Sequence, residues 1–466
     1  SVQAVSGQSS PLWLPAPPKM FPVPSYASAV FQAEVREWFA VVGTIVAPRV
    51  HPAGPVVGLQ LDNKMQMFWR QGAFEGDYHP DALAWWSEFS EGMDPPRNYQ
   101  PEDMPRVLLW LHFKEEYIRK SLQWLGDAAE QAGMGGLARY HNLPASRPTL
   151  CNLPMVEETV GLAGMDFSAT GSSYSQIRER ALYLSSSSLL PFAPELAIGG
   201  APWFPTASQE AQQSMLLGAL AGGLRAFNLY MAVARPRWHG EALGDCSEWI
   251  APLLASLAEL KFHTLRRDAP IAVIVSRAES RAAVASCAVD MASASVTELM
   301  GLGPSGHAEL AMDQSARLYP RWLAAVQEAL DRVEVPYRLI DENCLHLIDS
   351  NTKAVVLPTL ERVDGGVWAA LHTLAMTGMP IVIGPELPSQ DDMGQALGED
   401  RAKPKSAGMI ESESLHDLDG LGEALLGLAG ELSEMWIAPE NPDVHCSMYA
   451  DEQGSAKVLF VGNRSA

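Results

Sequence analysis

Two short segments bring amide, acid and amine side chains to places where chemistry could use them. In Gly54-Pro55-Val56-Val57-Gly58-Leu59-Gln60-Leu61-Asp62-Asn63-Lys64, polar residues arrive abruptly at the end of a compact apolar run. Catalytic groups of parallel α/β folds sit at that end of a strand. The pattern also fits an ordinary strand exit, with Asp62 and Asn63 capping the next helix. In Pro191-Phe192-Ala193-Pro194-Glu195, one carboxylate ends an apolar run, ahead of Gly199-Gly200 and the aromatic pair Trp203-Phe204. Glycosyl transfer through an oxocarbenium-like state needs a carboxylate under the anomeric carbon, and pyranose faces stack on Trp. Read locally, Glu195 is equally an exposed loop residue.

A third segment, Phe227-Asn228-Leu229-Tyr230-Met231, runs on towards Arg235, Arg237, Trp238 and His239. Asn228 and Tyr230 either face a site or satisfy each other inside a barrel. Tyr140, His141 and Asn142 leave one strand candidate and Asp166 leaves another. Each either bonds sugar hydroxyls or is a satisfied polar residue at a strand end, the second reading being preferred for His141. Met65, Met67, Phe68 and Trp69 read as core or pocket wall. None of the 11 histidines forms an HxxxH pair, and His346 near Cys344 and His445 beside Cys446 are isolated pairs. No catalytic metal or other cofactor is indicated.

The elements that must position these residues alternate. Val56–Leu61, Gly136–Tyr140, Gly164–Phe167, Leu189–Glu195 and Ala226–Val233 read as buried strands. Ala29–Val46, Val107–Ala132 and Gln209–Gly222 carry apolar residues at helical spacing. Strand and helix in repeated order predict a parallel sheet with helices outside it, either an open doubly wound sheet or a closed barrel. A polar linker, His263–Ala269, precedes a second zone over about 266–435. There Pro270–Val275, Tyr337–Ile340, Ala354–Leu357 and Pro380–Ile383 read as strands and Leu318–Val333 as an amphipathic helix. This predicts a compact flavodoxin-like sheet, and with no GxGxxG or GxxxxGK a nucleotide site is not supported. From about Trp436 a third zone ends in Lys457–Asn463, a strand entering a turn, as at the start of a β-rich domain. No internal repeat of ~20–50 residues is visible.

The 466 residues carry 55 acidic and 33 basic side chains, a net charge of −22. That is enough chain for two or three domains. With 47% hydrophobic residues it can bury a large core. No surplus of Lys or Arg exists to displace counterions from nucleic acid or to dock on an anionic membrane. The longest apolar stretch, Met215–Leu224, is too short for a bilayer span. Five scattered cysteines without a CxxC pair fit buried thiols in a reducing compartment such as the cytoplasm. The chain opens at Ser1, so it reads as a processed form or a fragment.

Taken in order, the segments resemble the clan A glycoside hydrolases, the β-galactosidases of families 35 and 42. Gln60-Leu61-Asp62-Asn63 is similar to the fourth-strand pattern of that family, which reads Gln, two residues, then Asn-Glu. Trp13-Leu14 and Tyr26–Val46 look like the helix region before that strand. Leu190–Glu195 with Trp203-Phe204 resembles the seventh-strand nucleophile region, and Asn228-Leu229-Tyr230-Met231 the eighth strand's Asn-x-Tyr-Met. The second zone resembles the trimerisation domain of family 42. The resemblance implies a (β/α)8 barrel over 1–265, whose first three strands have no counterpart in this chain, and a flavodoxin-like domain over 266–435. It implies retaining hydrolysis of a β-galactoside or related sugar with Glu195 as nucleophile. Asn63 would bond the 2-hydroxyl, and Gln60, Tyr140, Asp166, Trp203, Asn228, Tyr230 and Trp238 would line the sugar site. It further implies a homo-oligomer, a trimer by analogy, and a second chain or further piece beside Val56–Leu61 to complete the barrel.

One departure changes the mechanism. The family's general acid/base Glu follows the Asn, and here that position is Lys64. A retaining glycosidase uses that carboxyl to protonate the leaving oxygen and then to deprotonate water. A protonated ammonium cannot act as the base, and at the family's carboxyl spacing it would attract Glu195 and make it a poorer nucleophile. Asp62 should point away from Asn63 because side chains alternate along a strand. Glu75 and Asp77, in the following loop, are candidates to reach in as substitutes. The alternative function is a non-catalytic sugar-binding or structural subunit.

Overall fold

The computed structural model describes residues 3–6, 19–65, 76–96, 103–144, 151–168, 173–197, 208–230, 247–286, 313–397, 403–405, 407–410, 416–430, 437, 439–441 and 443–463. The chain begins with an antiparallel pair, β1 (Gln3–Ser6) and β2 (Lys19–Pro24). Alternating elements follow: α1 (Ala29–Val46), β3 (Gly58–Gln60), α2 (Pro80–Phe89), α3 (Met104–Ala129), β4 (Ala138–Leu143) and α4 (Leu153–Val160). The series continues with β5 (Leu162–Met165), β6 (Phe167–Ser168), α5 (Tyr174–Ser187), β7 (Phe192–Ala197), α6 (Gln209–Gly222), β8 (Ala226–Tyr230) and α7 (Ser247–Glu259). The helix starts are chemically marked. Ser28, Asn152, Ser173 and Ser208 each accept a bond from a backbone N–H of the first turn. Gln176 returns a bond to Ser173 in a capping box, and α6 stops at Gly223, whose φ of 113° suits glycine.

Two three-stranded parallel sheets, β3-β4-β5 and β6-β7-β8, carry this zone. They abut where β5 meets β7: a Cβ on Gly164 would lie 2.2 Å from the Phe192 carbonyl oxygen, so only glycine fits. Asp166 occupies the break between β5, which pairs with β4, and β6, which pairs with β7. On β7 the register to β8 shifts between Ala193 and Leu196, so Pro194 and Glu195 form an irregularity in the ladder. Such bulges re-aim side chains. Among the described residues, β3 and β8 each pair with one strand only.

The second zone is a five-stranded parallel sheet of β9 (Ile271–Val275), β10 (Tyr337–Asp341), β11 (Ala354–Thr359), β13 (Ile381–Pro385) and β15 (Gly408–Met409); the short strands β12 (Arg362–Val363) and β14 (Gln390–Asp391) pair beside it. The order β10-β9-β11-β13-β15 is the doubly wound order of flavodoxin. β9 is buried on both faces, as parallel strands require. Ile271 and Val273 face the large core shared with the first zone, while Ala272 and Ile274 face a second core. Helix α8 (Arg277–Ala285) follows β9, and α9 (Gln314–Arg332) begins four residues ahead of its sequence reading because Asp313 caps it. Helices α10 (Gly365–Met376) and α11 (Leu418–Ala429) complete the layers. The last segment is an antiparallel hairpin, β16 (Val444–Ala450) and β17 (Ala456–Asn463), and Tyr449 donates to the α6 carbonyls of Leu220 and Ala221. Among the described residues no helix is long and apolar enough to cross a membrane.

Candidate active site

The C-terminal ends of β3, β4, β5 and β7 converge on one polar cluster. After Gln60 the backbone takes left-handed values at Asp62 (φ 77°), Lys64 (φ 60°) and Met65 (φ 30°). Non-glycine residues rarely adopt these, and such strain concentrates at functional sites. The turn aims Lys64 inward. Its Nζ lies 2.7 Å from Asp166 Oδ2, 3.1 Å from Glu195 Oε2 and 3.4 Å from Asn63 Oδ1. The three charged side chains retain 12–21% exposure, so water and small ligands reach them.

Asn142 ties the cluster together. Its Nδ2 lies 2.8 Å from Asn63 Oδ1, 3.0 Å from Asp166 Oδ2 and 3.3 Å from Glu195 Oε1. Its Oδ1 accepts from Gln60 Nε2 at 2.9 Å and from the Lys64 backbone N–H at 3.1 Å. Two amide hydrogens thus serve three acceptors, which leaves each bond partial. Among the described residues Asp166 Oδ1 is buried without a hydrogen-bond partner.

One ammonium serving two carboxylates leaves a net negative charge, and the titration of the groups follows. Burial pulls Lys64 down, but Asp166 and then Glu195 more than offset it, so its pKa stands above the ordinary lysine value. Asp166 moves up despite its ion pair. Burial pushes it to about 6, with Lys64 opposing and Glu195 assisting. The shared ammonium only partly offsets that burial. Burial and the Glu195 charge raise Tyr140, which packs edge-on against Phe192. Burial lowers His141, whose Nδ1 lies 3.1 Å from the Leu61 carbonyl.

Of the residues picked out by sequence, Gln60, Asn63, Lys64, Asp166 and Glu195 come together, with Tyr140 on the adjoining strand. Asp62 turns away, through its left-handed backbone past the end of β3 rather than by strand alternation: Tyr26 donates to its Oδ2 and the Asn63 N–H to its Oδ1. Asp77 does not reach in. It is fully buried and accepts from Ser25, Tyr117 and the His79 N–H. Glu195 lies inside β7 rather than at the end of its strand, because the strand runs two residues beyond the sequence reading, to Ala197. Asn228 is exposed and Tyr230 half-buried on β8, and no described bond joins either to the cluster. Trp203, Trp238 and Glu75 lie outside the described residues. Sequence reading gave Asn142 no more weight than its neighbours and placed Asp166 only as a sugar contact. An unexpected lysine at an acid's position needs counter-charge, and Asp166, which follows β5 two strands from β3, supplies it. No group of His, Cys, Asp and Glu among the described residues could hold a metal ion.

No family model matches the sequence, and no curated protein does either. Solved structures do. A β-galactosidase from the psychrophilic Marinomonas ef1 is 12% identical, with a TM-score of 0.61 over 92% of this chain and 79% of that one. The fold is similar to that of family 42 β-galactosidases. A β-galactosidase from the haloarchaeon Halorubrum lacusprofundi (16% identity, TM-score 0.55) matches 86% of this chain and 63% of its own. A family 42 exo-carrageenase from Bacteroides ovatus (10%, 0.54) matches 82% and 58%. The chain therefore spans less than two thirds of the latter two proteins. At these identities the likeness establishes the fold, and two activities share it.

Proposed function

We propose that this chain binds a β-galactoside or related sugar over Glu195, on a retaining-glycosidase plan whose acid/base position is held by Lys64. The observation that carries the reading is the Lys64 ammonium bridging Asp166 and Glu195. Glu195 would attack the anomeric carbon, with Asn63 and Asn142 placed to bond the sugar. Lys64, its pKa raised by its two partners, stays protonated and cannot take a proton from water unaided. It also neutralises the attacking carboxylate. Both effects slow hydrolysis, so natural galactosides should turn over poorly. An aryl galactoside with an acidic phenol needs no protonation of its leaving group. It should give a burst as Glu195 is glycosylated, then a slow steady state. Glu195→Gln should abolish the burst. A wild-type protein that shows no burst yet binds galactose by calorimetry is the alternative, a sugar-binding subunit that keeps the pocket and has lost the chemistry. The closed ion pairs at Lys64 favour that second reading.

We also propose the domain plan and the assembly. Residues 1–265 would be a clan A barrel lacking its first strands, 266–435 a flavodoxin-like interface domain and 436–466 the start of a β-rich domain. What supports an incomplete barrel is that, among the described residues, β3 pairs on one side only, while Val57 beside it and Val30, Trp38, Val41 and Ile45 along α1 are exposed. A second polypeptide, or a further piece of the same protein, supplying parallel βα units would cover both the strand edge and this stripe. Light scattering should report a species heavier than one chain, and a monodisperse monomer at micromolar concentration would count against it.

A further inference from the structure

We propose that Asp166 is the proton reservoir of this site, with Lys64 as the ammonium through which its proton reaches the leaving oxygen. The inference rests on the glycosidase reading above and replaces the missing carboxyl with one from another strand. Bonds of 2.7 and 3.1 Å to one nitrogen keep the Asp166 and Glu195 oxygens within about 6 Å of each other. That upper bound admits the ~5–5.5 Å carboxyl separation of retaining enzymes. Lys64 Nζ bonds both carboxylates. Asp166 Oδ1, buried and without a hydrogen-bond partner among the described residues, leaves the carboxylate incompletely solvated, the condition in which it takes up a proton.

The steps balance. In glycosylation, a Glu195 oxygen bonds to the anomeric carbon as the bond to the leaving oxygen breaks. That oxygen takes a proton from Lys64 Nζ, and Lys64 takes the Asp166 proton. In hydrolysis, water bonds to the anomeric carbon and the Glu195 ester bond breaks. The water's proton passes to Lys64, which returns one to Asp166. Lys64 ends each step as an ammonium.

The charges facing Asp166 are Lys64 from the β3 turn, Glu195 from β7 and Arg180 from α5, whose Nη1 donates to the Asp166 carbonyl at 3.1 Å. Neutral Asn142 and His141, lowered by burial, come from β4. Glycosylation needs Asp166 protonated, so it should fall as pH rises through about 6. In the intermediate Glu195 is an ester. Its charge no longer raises Asp166, so hydrolysis should rise with pH along a limb centred lower than that.

Phenyl β-galactoside reports glycosylation and 2,4-dinitrophenyl β-galactoside reports hydrolysis of the intermediate. Asp166→Asn should lower phenyl galactoside turnover by about 10²-fold and flatten both pH limbs, general acid/base groups contributing ~10²–10⁴. It should still be labelled on Glu195 by a 2,4-dinitrophenyl 2-deoxy-2-fluoro-galactoside, detected by mass spectrometry, which shows the variant folded. Lys64→Glu added to Asp166→Asn should restore turnover. An Asp166→Asn protein with wild-type phenyl galactoside turnover and both limbs intact overturns the assignment and leaves the glycosidase reading standing. A wild-type protein that is not labelled on Glu195 overturns both.

Discussion

The polar cluster at the ends of β3, β4, β5 and β7 and the cluster at the ends of β9 and β10 occupy equivalent places in parallel sheets, and they are wired differently. In flavodoxin-type sheets, the turn from the first strand into its helix is where phosphates bind. Here the chain fills that place itself. Glu342 accepts from Ser276 Oγ at 3.2 Å and from the Arg277 N–H at 2.9 Å, at the start of α8. Arg277 reaches Glu115, Asp341 and Glu342, while Arg281 bonds Glu115 through two nitrogens at 2.8 and 2.9 Å. Arg277 is 1% exposed. Against burial, Arg281 and Arg277 hold Glu115 down to about 2. The Lys64 cluster has side chains 12–21% exposed to water, whereas Arg277, Arg281, Asp341 and Glu342 are at most 4% exposed. A crevice that closes its charges away from water becomes structure, and one that leaves them within reach of water keeps reactivity.

The largest effect that would break this contrast is at Arg277. Arg277→Met leaves Glu342, Asp341 and Glu115 short of a partner and should cost about 3–5 kcal/mol in urea unfolding. Lys64→Met, removing an ammonium that water still reaches, should cost about 1 kcal/mol after screening. Equal losses would show that the two clusters are energetically alike.

pH sharpens the comparison because the two acids have opposite signs. Glu115 has a depressed pKa, so its stabilisation is present above the ordinary glutamate value and is lost as pH falls towards about 2. Asp166 has a raised pKa. The folded state binds its proton more tightly than the unfolded chain, so stability drops as pH rises from about 4 to about 6. Asp166→Asn should therefore gain about 2 kcal/mol on wild type between pH 4 and pH 7, while an unchanged difference would contradict the raised value.

How much of this was legible in the sequence follows the same division. The apolar runs at Ala29–Val46 and Gln209–Gly222 and the strands of the second zone were readable because burial pattern and caps are local. β4 runs on to Leu143 beyond its reading because His141 and Asn142, polar by type, find partners inside the sheet, His141 Nδ1 at the Leu61 carbonyl and Asn142 Nδ2 at Asn63. The Gln60-x-x-Asn63-Lys64 spacing located the cluster. The contact of Lys64 with Glu195 followed from assigning both to one barrel end. Its bond to Asp166, 102 residues away, and the bridging by Asn142 have no local signature. The internal filling by Glu342 was equally hidden, since it joins two strands through a turn.

The most direct test of the account is turnover of phenyl β-galactoside by Lys64→Glu. The substitution removes the ammonium held 3.1 Å from Glu195 and supplies a carboxyl where the acid/base would act. The account predicts a rise of at least roughly tenfold, the low side of an acid/base contribution, with Glu195→Gln abolishing it. A Lys64→Glu protein no faster than wild type, or a wild type that already hydrolyses lactose briskly, would contradict it.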